Sequence, residues 1–247
     1  MRIAAISDIH GNLPALEAVL EDITKRKVDS IICLGDLIGK GPSSREVIET
    51  CRRECDIVIK GNWDDSIYNA FINLTTKGAK EIHERSLWCI NSAAPEQIEY
   101  LGSLPHSTEL CLGGKLIRLF HAHPQNFNRY FPDSPLENRL ELFNSYGSNT
   151  NVQADVAVYA DIHGAYMQIL QGKHLINVGS VGNPLDITQS SYVIFEGDNN
   201  DSATFAVQFV RVKYDIEKAV LLAKQSNVPD LDGYISELET ARYFHRT

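Results

Sequence analysis

Short apolar runs alternate with helical patterns along the first 60 residues of the chain. The apolar runs cover residues 3–6, 31–34 and 57–59. Runs of this length are typical of strands buried in a parallel sheet. From Leu13 to Lys27 large apolar residues recur about every 3.6 positions, which predicts an amphipathic helix that starts near Asn12 and Pro14. A second helix is predicted after Ser44. This alternation of strands and helices favours a parallel sheet with right-handed crossovers.

The rest of the chain predicts a helical segment, a hairpin and a strand-rich C-terminal region. Residues 63–102 have a mostly helical pattern, and Gly113-Gly114 between two strand-like runs predicts a β-hairpin. Residues 124–154 predict a loop with one helix near residues 136–143. The later strands are expected around Val156 and over 166–170, 175–178, 192–195 and 204–212, and the terminal helices over 216–225 and 234–244.

These elements predict one α/β domain that spans residues 1–247, because no repeat or linker divides the chain. Residues 1–123 are expected to form a parallel or mixed half, and residues 124–154 a loop and helix that cap it. Residues 155–247 are expected to contribute mainly antiparallel strands and the terminal helices.

Composition narrows the class of protein. With 43% hydrophobic and 22% charged residues, the chain is typical of a globular protein with a real core. The formal net charge of −9 argues against binding to a nucleic-acid backbone. Five scattered cysteines favour reduced thiols, and no apolar run approaches the ~18 residues of a membrane span. We therefore expect a cytoplasmic protein without membrane association, and a homo-oligomer is compatible with the sequence.

Five of the strand-like runs end in side chains that can bind a metal ion. Ligands collect beyond the carboxyl ends of strands in open α/β sheets, so we expect these side chains to meet. Each short motif is weak alone, whereas five in this arrangement are a strong signal. The candidates are Asp8 and His10, Asp36 after Gly35, Asn62 after Gly61, His121, and Asp161 with His163.

The order of these motifs resembles the calcineurin-like metallophosphoesterase superfamily. The motifs are Asp8-x-His10, Gly35-Asp36-(x)4-Gly41, Gly61-Asn62-x-Asp64, His121 and Asp161-x-His163. A loop at residues 179–182 is similar to one in small bacterial members, and the resemblance extends from residue 3 to about residue 197. It implies a two-sheet α-β-β-α sandwich. By overall pattern the chain looks most like asymmetrical diadenosine tetraphosphate hydrolases and phosphodiesterases.

The resemblance also implies a centre of two metal ions. One ion would be bound by Asp8, His10, Asp36 and His163, and the other by Asp36 as a bridge, Asn62, His121 and Asp161. Asp161 stands where the family has a histidine, and this harder ligand favours Mn²⁺ or Mg²⁺ over Zn²⁺ at the second position, while a site of two histidines and two aspartates suits iron or manganese. The alternative is that Asp161 only caps a turn and the second ion is weak or absent.

A second departure concerns the proton donor. The family's Gly-Asn-His-Asp is here Gly61-Asn62-Trp63-Asp64. An indole N–H cannot release a proton near neutral pH, and general acid catalysis contributes roughly 10²–10⁴ in rate. We therefore expect a hydrolase that cleaves phosphoanhydrides, such as diadenosine tetraphosphate, or phosphodiesters with good leaving groups. The attacking group would be a metal-bridging hydroxide, with Asp36, Asn62, Trp63 and Asp64 as the catalytic residues.

The expected substrate is a small phosphoester, with a nucleotide as the first candidate. Asn62 would hold phosphoryl oxygens, and Trp63 would either stack on a base or only fill space. His123 could supply a proton or replace His121 as a ligand, although His121 directly follows the apolar run. Arg129 is expected to face phosphate or base, with a solvated loop as the alternative. A serine/threonine protein phosphatase and a non-catalytic scaffold remain as other functions.

Overall fold

The computed structural model describes residues 1–77, 82–146, 152–198 and 204–244. Residues 78–81 of the predicted helical segment and 147–151 of the predicted loop lie outside the described residues, as do 199–203 and 245–247 of the C-terminal region. The strands are β1 Arg2–Ile6, β2 Ser30–Cys33, β3 Ile57–Val58, β4 Ser107–Leu112, β5 Lys115–Phe120, β6 Val156–Tyr159, β7 Tyr166–Leu170, β8 Lys173–Asn177, β9 Ser190–Gly197 and β10 Phe205–Val212. The helices are α1 Leu13–Lys25, α2 Ser44–Glu54, α3 Asn62–Lys77, α4 Glu84–Ser92, α5 Pro95–Ser103, α6 Leu136–Glu141, α7 Ile216–Gln225 and α8 Leu231–Thr240.

Within the described residues these strands form two five-stranded mixed sheets. The first sheet has the order β10-β9-β1-β2-β3 and the second β4-β5-β6-β8-β7. The pairs β1–β2, β2–β3, β5–β6 and β6–β8 are parallel, and the pairs β1–β9, β9–β10, β4–β5 and β7–β8 are antiparallel. The predicted two-sheet α/β fold is confirmed. Strands β9 and β10 return to the first sheet, so the halves of the sequence do not coincide with the sheets.

Alternation along the strands places apolar side chains on both faces of each sheet. Ile3 and Ala5 of β1 pack between the two sheets, whereas Ala4 and Ile6 pack with Leu16 against the helical layer. This alternation follows from the two-residue period of a strand. Because both faces are covered, polar side chains of functional importance are confined to the strand ends.

The helices differ from their predicted bounds mainly at their ends. Asn12 caps α1, since its Oδ1 accepts a hydrogen bond from the Ala15 N–H at 3.2 Å. The terminal helix starts at Leu231, before the predicted position, and stops before Ala241, which has a left-handed φ of 53°. In the described part of the chain, no helix has the length and apolar character needed to cross a membrane.

Candidate metal centre

The structure brings the seven predicted metal ligands together at the carboxyl ends of strands from both sheets. His121 directly follows β5, and Asn62 is the first residue of α3. Two groups share Asp8, and within each group the ligand atoms lie within 4.8 Å of one another. The groups are Asp8, His10 and His163, and Asp8, Asp36 and His121. Asp36 Oδ2 lies 3.5 Å from His10 Nε2 and 3.6 Å from His121 Nε2, so Asp36 stands between the two groups.

Backbone carbonyl groups orient all three imidazole rings of the centre. The Nδ1 atoms of His10, His121 and His163 lie 3.2, 2.8 and 2.6 Å from the carbonyl oxygens of Ile38, Leu34 and Asn183, respectively. A carbonyl oxygen can only accept, so each Nδ1 carries a proton, and in the neutral ring Nε2 then keeps its lone pair. This is the tautomer that a metal-binding histidine requires.

The Nε2 atoms face the buried carboxylate of Asp8, one oxygen of which accepts no hydrogen bond within the described part of the chain. Asp8 Oδ1 is buried and accepts no hydrogen bond from any described residue. His163 Nε2 lies 3.2 Å from this oxygen, and His10 Nε2 lies 3.2 Å from His163 Nε2. Lone pairs therefore meet lone pairs in a buried space, which costs free energy unless a cation lies between them. The donor set fits a divalent metal ion.

The charges of the centre lead to the same conclusion. Burial raises the pKa of Asp36 well above its ordinary value, and the neighbouring carboxylates of Asp8 and Asp64 raise it further. Burial also lowers the pKa of His10, and His163 lowers it further. Burial opposes ionisation of Asp8, but the positive charge that the facing imidazoles carry when protonated holds its pKa below the ordinary value, as a metal cation in their place would. Crowded groups of this kind are typical of functional sites.

The backbone at the ligands is unusual. Five predicted ligands have φ between 48° and 66°, a region that non-glycine residues rarely adopt. They are Asp8, His10, Asp36, Asp161 and His163. Such residues cost about 1–3 kcal/mol each and persist where surrounding structure holds them. The loops therefore aim the side chains inward at the expense of backbone strain.

Asp64 supplies part of the structure that holds these loops. Its carboxylate accepts hydrogen bonds from the N–H groups of Asp36 at 2.9 Å, Leu37 at 3.0 Å and Gly61 at 2.9 Å. Burial raises the pKa of Asp64 to about 6. A Cβ atom on Gly61 would lie 2.1 Å from Asp36 Oδ1, so only glycine fits there. Asp64, predicted to be catalytic, lies under the ligand loops and is not among the residues that line the cavity.

The loop at residues 179–182 supports Asp8 from the other side. Ser180 Oγ and the Gly182 N–H both donate hydrogen bonds to the Asp8 carbonyl oxygen, at 2.8 and 3.0 Å. A Cβ atom on Gly182 would lie 1.8 Å from the Ile9 carbonyl oxygen. The motif at residues 179–182 therefore reflects close packing of its loop against the loop that carries Asp8.

The centre opens into a cavity of about 1200 Å³. The predicted residues Asn62, Trp63, Arg129, Asp161 and His163 line it. Phe131, which the sequence placed beside Arg129, also lines it, and the lining residues that the sequence did not single out include Lys40, Arg85, Asp230, Tyr234, Glu237, Tyr243 and Phe244. Lys40 lies inside the Gly35–Gly41 motif, which was a usable signal. The C-terminal residues had none, because their approach depends on how α8 packs.

Trp63 forms part of the cavity wall beside the centre. Its ring meets the His10 ring edge to face, with centroids 5.9 Å apart. The Arg85 guanidinium lies 5.8 Å from the centroid of the Trp63 ring, a cation–π contact. The indole therefore stands between a predicted metal ligand and a cation of the wall.

His121 and His123 have different surroundings. His123 stacks on Tyr130, with ring centroids 5.8 Å apart, and contacts Tyr146. Burial lowers the pKa of His123. His123 is not among the described residues that line the cavity, because its ring packs among tyrosines, and its predicted part in substrate binding stays a prediction. The preference for His121 as the candidate ligand agrees with the geometry.

Asn62 and Arg129 both contact the centre. With its amide nitrogen toward the centre, Asn62 donates to His121 Nε2 at 2.9 Å and to Asp36 Oδ2 at 3.1 Å. Arg129 donates from Nε to Asp161 Oδ2 at 2.7 Å and from Nη2 to Asp161 Oδ1 at 3.1 Å. The hydrogen bond to Asp161 raises the pKa of Arg129.

Two mixed sheets with a carboxylate–imidazole cluster at their strand ends define a metallophosphoesterase fold. A family model described as the calcineurin-like phosphoesterase superfamily domain matches residues 1–200. The chain belongs to this superfamily, and α7 and α8 follow the matched region.

Individual relatives agree with this assignment. The chain is similar to an uncharacterised protein of Methanocaldococcus jannaschii, with 34% identity over 245 residues, 94% of this chain and 95% of the other. A symmetrical bis(5′-nucleosyl)-tetraphosphatase of Paracidovorax citrulli is 28% identical over 148 residues, 58% of this chain and 50% of that protein. The crystal structure of a metallophosphoesterase from Sphaerobacter thermophilus superimposes with a TM-score of 0.74 at 25% identity, covering 98% of this chain and 99% of the other.

Proposed function

We infer that this protein is a metal-dependent phosphoesterase that hydrolyses phosphoanhydrides or phosphodiesters with good leaving groups. The observation that carries the inference is the buried Asp8 Oδ1, which faces unprotonated Nε2 atoms at a strand-end cluster of a phosphoesterase fold. A divalent ion bound there polarises phosphoryl oxygens and brings the pKa of a bound water toward neutrality.

The proposed ligand sets follow the positions of the side chains. Asp8, His10, Asp36 and His163 would hold one ion, and Asp36, Asn62, His121 and Asp161 the other. Asn62 would bind through its amide oxygen, the orientation in which Oδ1 lies 2.9 Å from His121 Nε2, whereas the opposite orientation would let its nitrogen donate to His121 and Asp36. Manganese or iron suits this mixture of carboxylate, amide and imidazole donors.

The cavity supports a substrate larger than a simple phosphate ester. A volume of about 1200 Å³ exceeds what a phosphoryl group needs, and Trp63 and Phe131 offer aromatic surface beside the centre. Aromatic side chains bind bases by stacking. A dinucleoside polyphosphate therefore fits the site, and the partial similarity to a bis(5′-nucleosyl)-tetraphosphatase supports this substrate.

Leaving-group chemistry limits the range of substrates. Trp63 occupies the family's histidine position at the wall, and its N–H can donate a hydrogen bond but cannot transfer a proton near neutral pH. A phosphate, nucleotide or phenolate leaves without protonation, whereas an alkoxide does not. We therefore place phosphoserine and phosphothreonine peptides outside the substrate range.

A substrate panel tests the proposal. The Mn²⁺- or Fe²⁺-supplemented protein is assayed with bis(4-nitrophenyl) phosphate, diadenosine tetraphosphate, glycerol phosphate and a phosphoserine peptide. We expect hydrolysis of the first two and little of the others. Fastest hydrolysis of the peptide would support a protein phosphatase. Less than one bound metal ion per chain after supplementation would support a non-catalytic scaffold.

Replacement of Trp63 by histidine tests the leaving-group argument. Trp63→His should raise kcat/KM for glycerol phosphate relative to bis(4-nitrophenyl) phosphate by at least ~10-fold, because an imidazole can protonate the departing alkoxide. Trp63→Phe is the matched control, since it changes the ring without adding a proton donor. An unchanged ratio in Trp63→His, or an equal rise in Trp63→Phe, would contradict the argument.

A further inference from the structure

Arg129 binds both carboxylate oxygens of Asp161, one of the three candidate ligands (with Asn62 and His121) that belong to the second metal position alone. The two hydrogen bonds measure 2.7 and 3.1 Å. A guanidinium that donates to both oxygens of a carboxylate forms the strongest type of charge-assisted pair. The Asp161 side chain is only 3% exposed, so its charge is directed into the centre, whereas the Arg129 side chain is 51% exposed.

This pair lies at the centre itself. Asp161 Oδ1 lies 3.9 Å from His121 Nε2, and the Asp161 N–H donates to Asp8 Oδ2 at 3.3 Å. An arginine side chain stays protonated at any working pH. Arg129 therefore brings a permanent positive charge to the place where a second divalent ion would share Asp161 with His121.

Charge balance shows what this cation does. Three carboxylates face the centre, those of Asp8, Asp36 and Asp161. One divalent ion together with the Arg129 guanidinium neutralises all three. A second divalent ion would add two positive charges beside Arg129, and the carboxylate that it needs already gives one lone pair of each oxygen to the guanidinium.

We propose that Arg129 takes the electrostatic place of a second metal ion and competes with that ion for Asp161. The chain then holds one ion tightly, through the group of Asp8, His10 and His163, and a second ion weakly. Because the Arg129 side chain is half exposed and residues 127–130 have no helix or strand, the guanidinium can leave Asp161 without disrupting the core. This inference rests on the proposed metal-dependent function.

The test is the binding of Mn²⁺ alone to the full chain, measured by isothermal titration calorimetry. The wild type should show one tight and one weak site. Arg129→Gln should tighten the weak site about 10-fold, the effect expected for losing one half-exposed charged pair. Arg139→Gln is the matched control, because its guanidinium donates to Gln168 at 2.6 Å and not to the centre.

Two further variants make every outcome informative. Asp161→Asn should weaken the second site in both the wild-type and the Arg129→Gln backgrounds. Arg129→Lys keeps the charge without the fork, so its second site should stay weak even if the glutamine variant folds poorly. Weakened second-site binding in Arg129→Gln would show that Arg129 supports Asp161 as a ligand and would overturn the inference. Two tight wild-type sites would also overturn it, whereas no Mn²⁺ binding at all would refute the proposed function.

Discussion

Asp64 couples the two loops that carry Asp36 and Asn62. Its two carboxylate oxygens accept three backbone N–H groups, from residues 36, 37 and 61, and its side chain is fully buried. The neighbouring residue Trp63, in the first turn of α3, donates its backbone N–H to Asp36 Oδ1 at 2.8 Å. At the scale of single residues, the centre thus depends on a carboxylate that does not face the cavity.

Replacement of Asp64 by asparagine tests this dependence. An asparagine NH₂ group would face backbone N–H donors, so Asp64→Asn should destabilise the protein by about 1–3 kcal/mol. Mn²⁺ affinity should also fall, because Asp36 would shift. Urea denaturation and calorimetry measure the two effects. Asp65→Asn is the neighbouring control: the Asp65 side chain is 29% exposed, its contact with Lys60 is long at 3.4 Å, and Lys60 keeps its 2.8 Å hydrogen bond to the Gly102 carbonyl oxygen, so the change should cost under ~1 kcal/mol. Equal effects of the two changes would refute the role of Asp64.

Helix α8 connects the C-terminal region to the metal centre. Glu237 of this helix accepts hydrogen bonds from Lys40 at 2.7 Å and from Asn183 Nδ2 at 3.1 Å. Lys40 lies in the loop after β2, and the Asn183 carbonyl orients His163. Both charged side chains are nearly buried, at 11% and 8% exposure. At the scale of elements, α8 forms a wall of the cavity and braces two ligand loops.

A double-mutant cycle tests this bracing. Glu237→Gln should destabilise the protein by about 3 kcal/mol, because the Lys40 ammonium would remain buried without a counter-charge. The double variant Lys40→Met/Glu237→Gln should lose less than the sum of the single changes Lys40→Met and Glu237→Gln, since it removes both charges. Urea denaturation midpoints give the comparison. Additive losses would show that the two side chains act independently.

The charges of the whole cavity show where its attraction for phosphate resides. Each cation of the wall lies against an acid of the same wall. The pairs are Lys40 with Glu237, Arg85 with Asp230 and Arg129 with Asp161. At the scale of the molecule, with its net charge of −9, the protein groups alone give little attraction for an anion. A bound metal ion is therefore expected to strengthen substrate binding, and it would also reduce the repulsion between the crowded carboxylates.

Metal binding should also stabilise the whole fold. A ligand that binds only the folded state at 100 times its Kd adds about 2.7 kcal/mol. For a chain of this length that corresponds to a rise in Tm of roughly 5–10 °C. We expect such a rise with Mn²⁺ and its reversal by a chelator, measured by differential scanning calorimetry. Asp8→Asn, which removes the carboxylate shared by both groups, should abolish the shift. A shift of equal size in Asp8→Asn would place the bound ion elsewhere.

Local pattern was sufficient for the α/β class and for the place of the candidate site, whereas the two-sheet arrangement was implied by the resemblance to a family. The apolar runs at residues 3–6, 31–34 and 57–59 predicted strands, and polar residues at their ends predicted ligands that the structure brings together. This worked because strand burial and strand-end position are properties of neighbouring residues. The two-sheet fold is confirmed, and the single-domain assignment and the catalytic roles stay predictions.

The tertiary structure decided which side chains form ion pairs and which pack together. Arg129 and Asp161 are 32 residues apart, and Lys40 and Glu237 are 197 apart, so neither pair leaves a local pattern. His123 shares a motif with His121, yet packing turns it among tyrosines. Pairing across loops depends on how α8 and the loop at residue 129 pack onto the strand ends. Those contacts form only when distant segments meet, and for that reason the sequence by itself located the metal centre while the fold determined its charge and its walls.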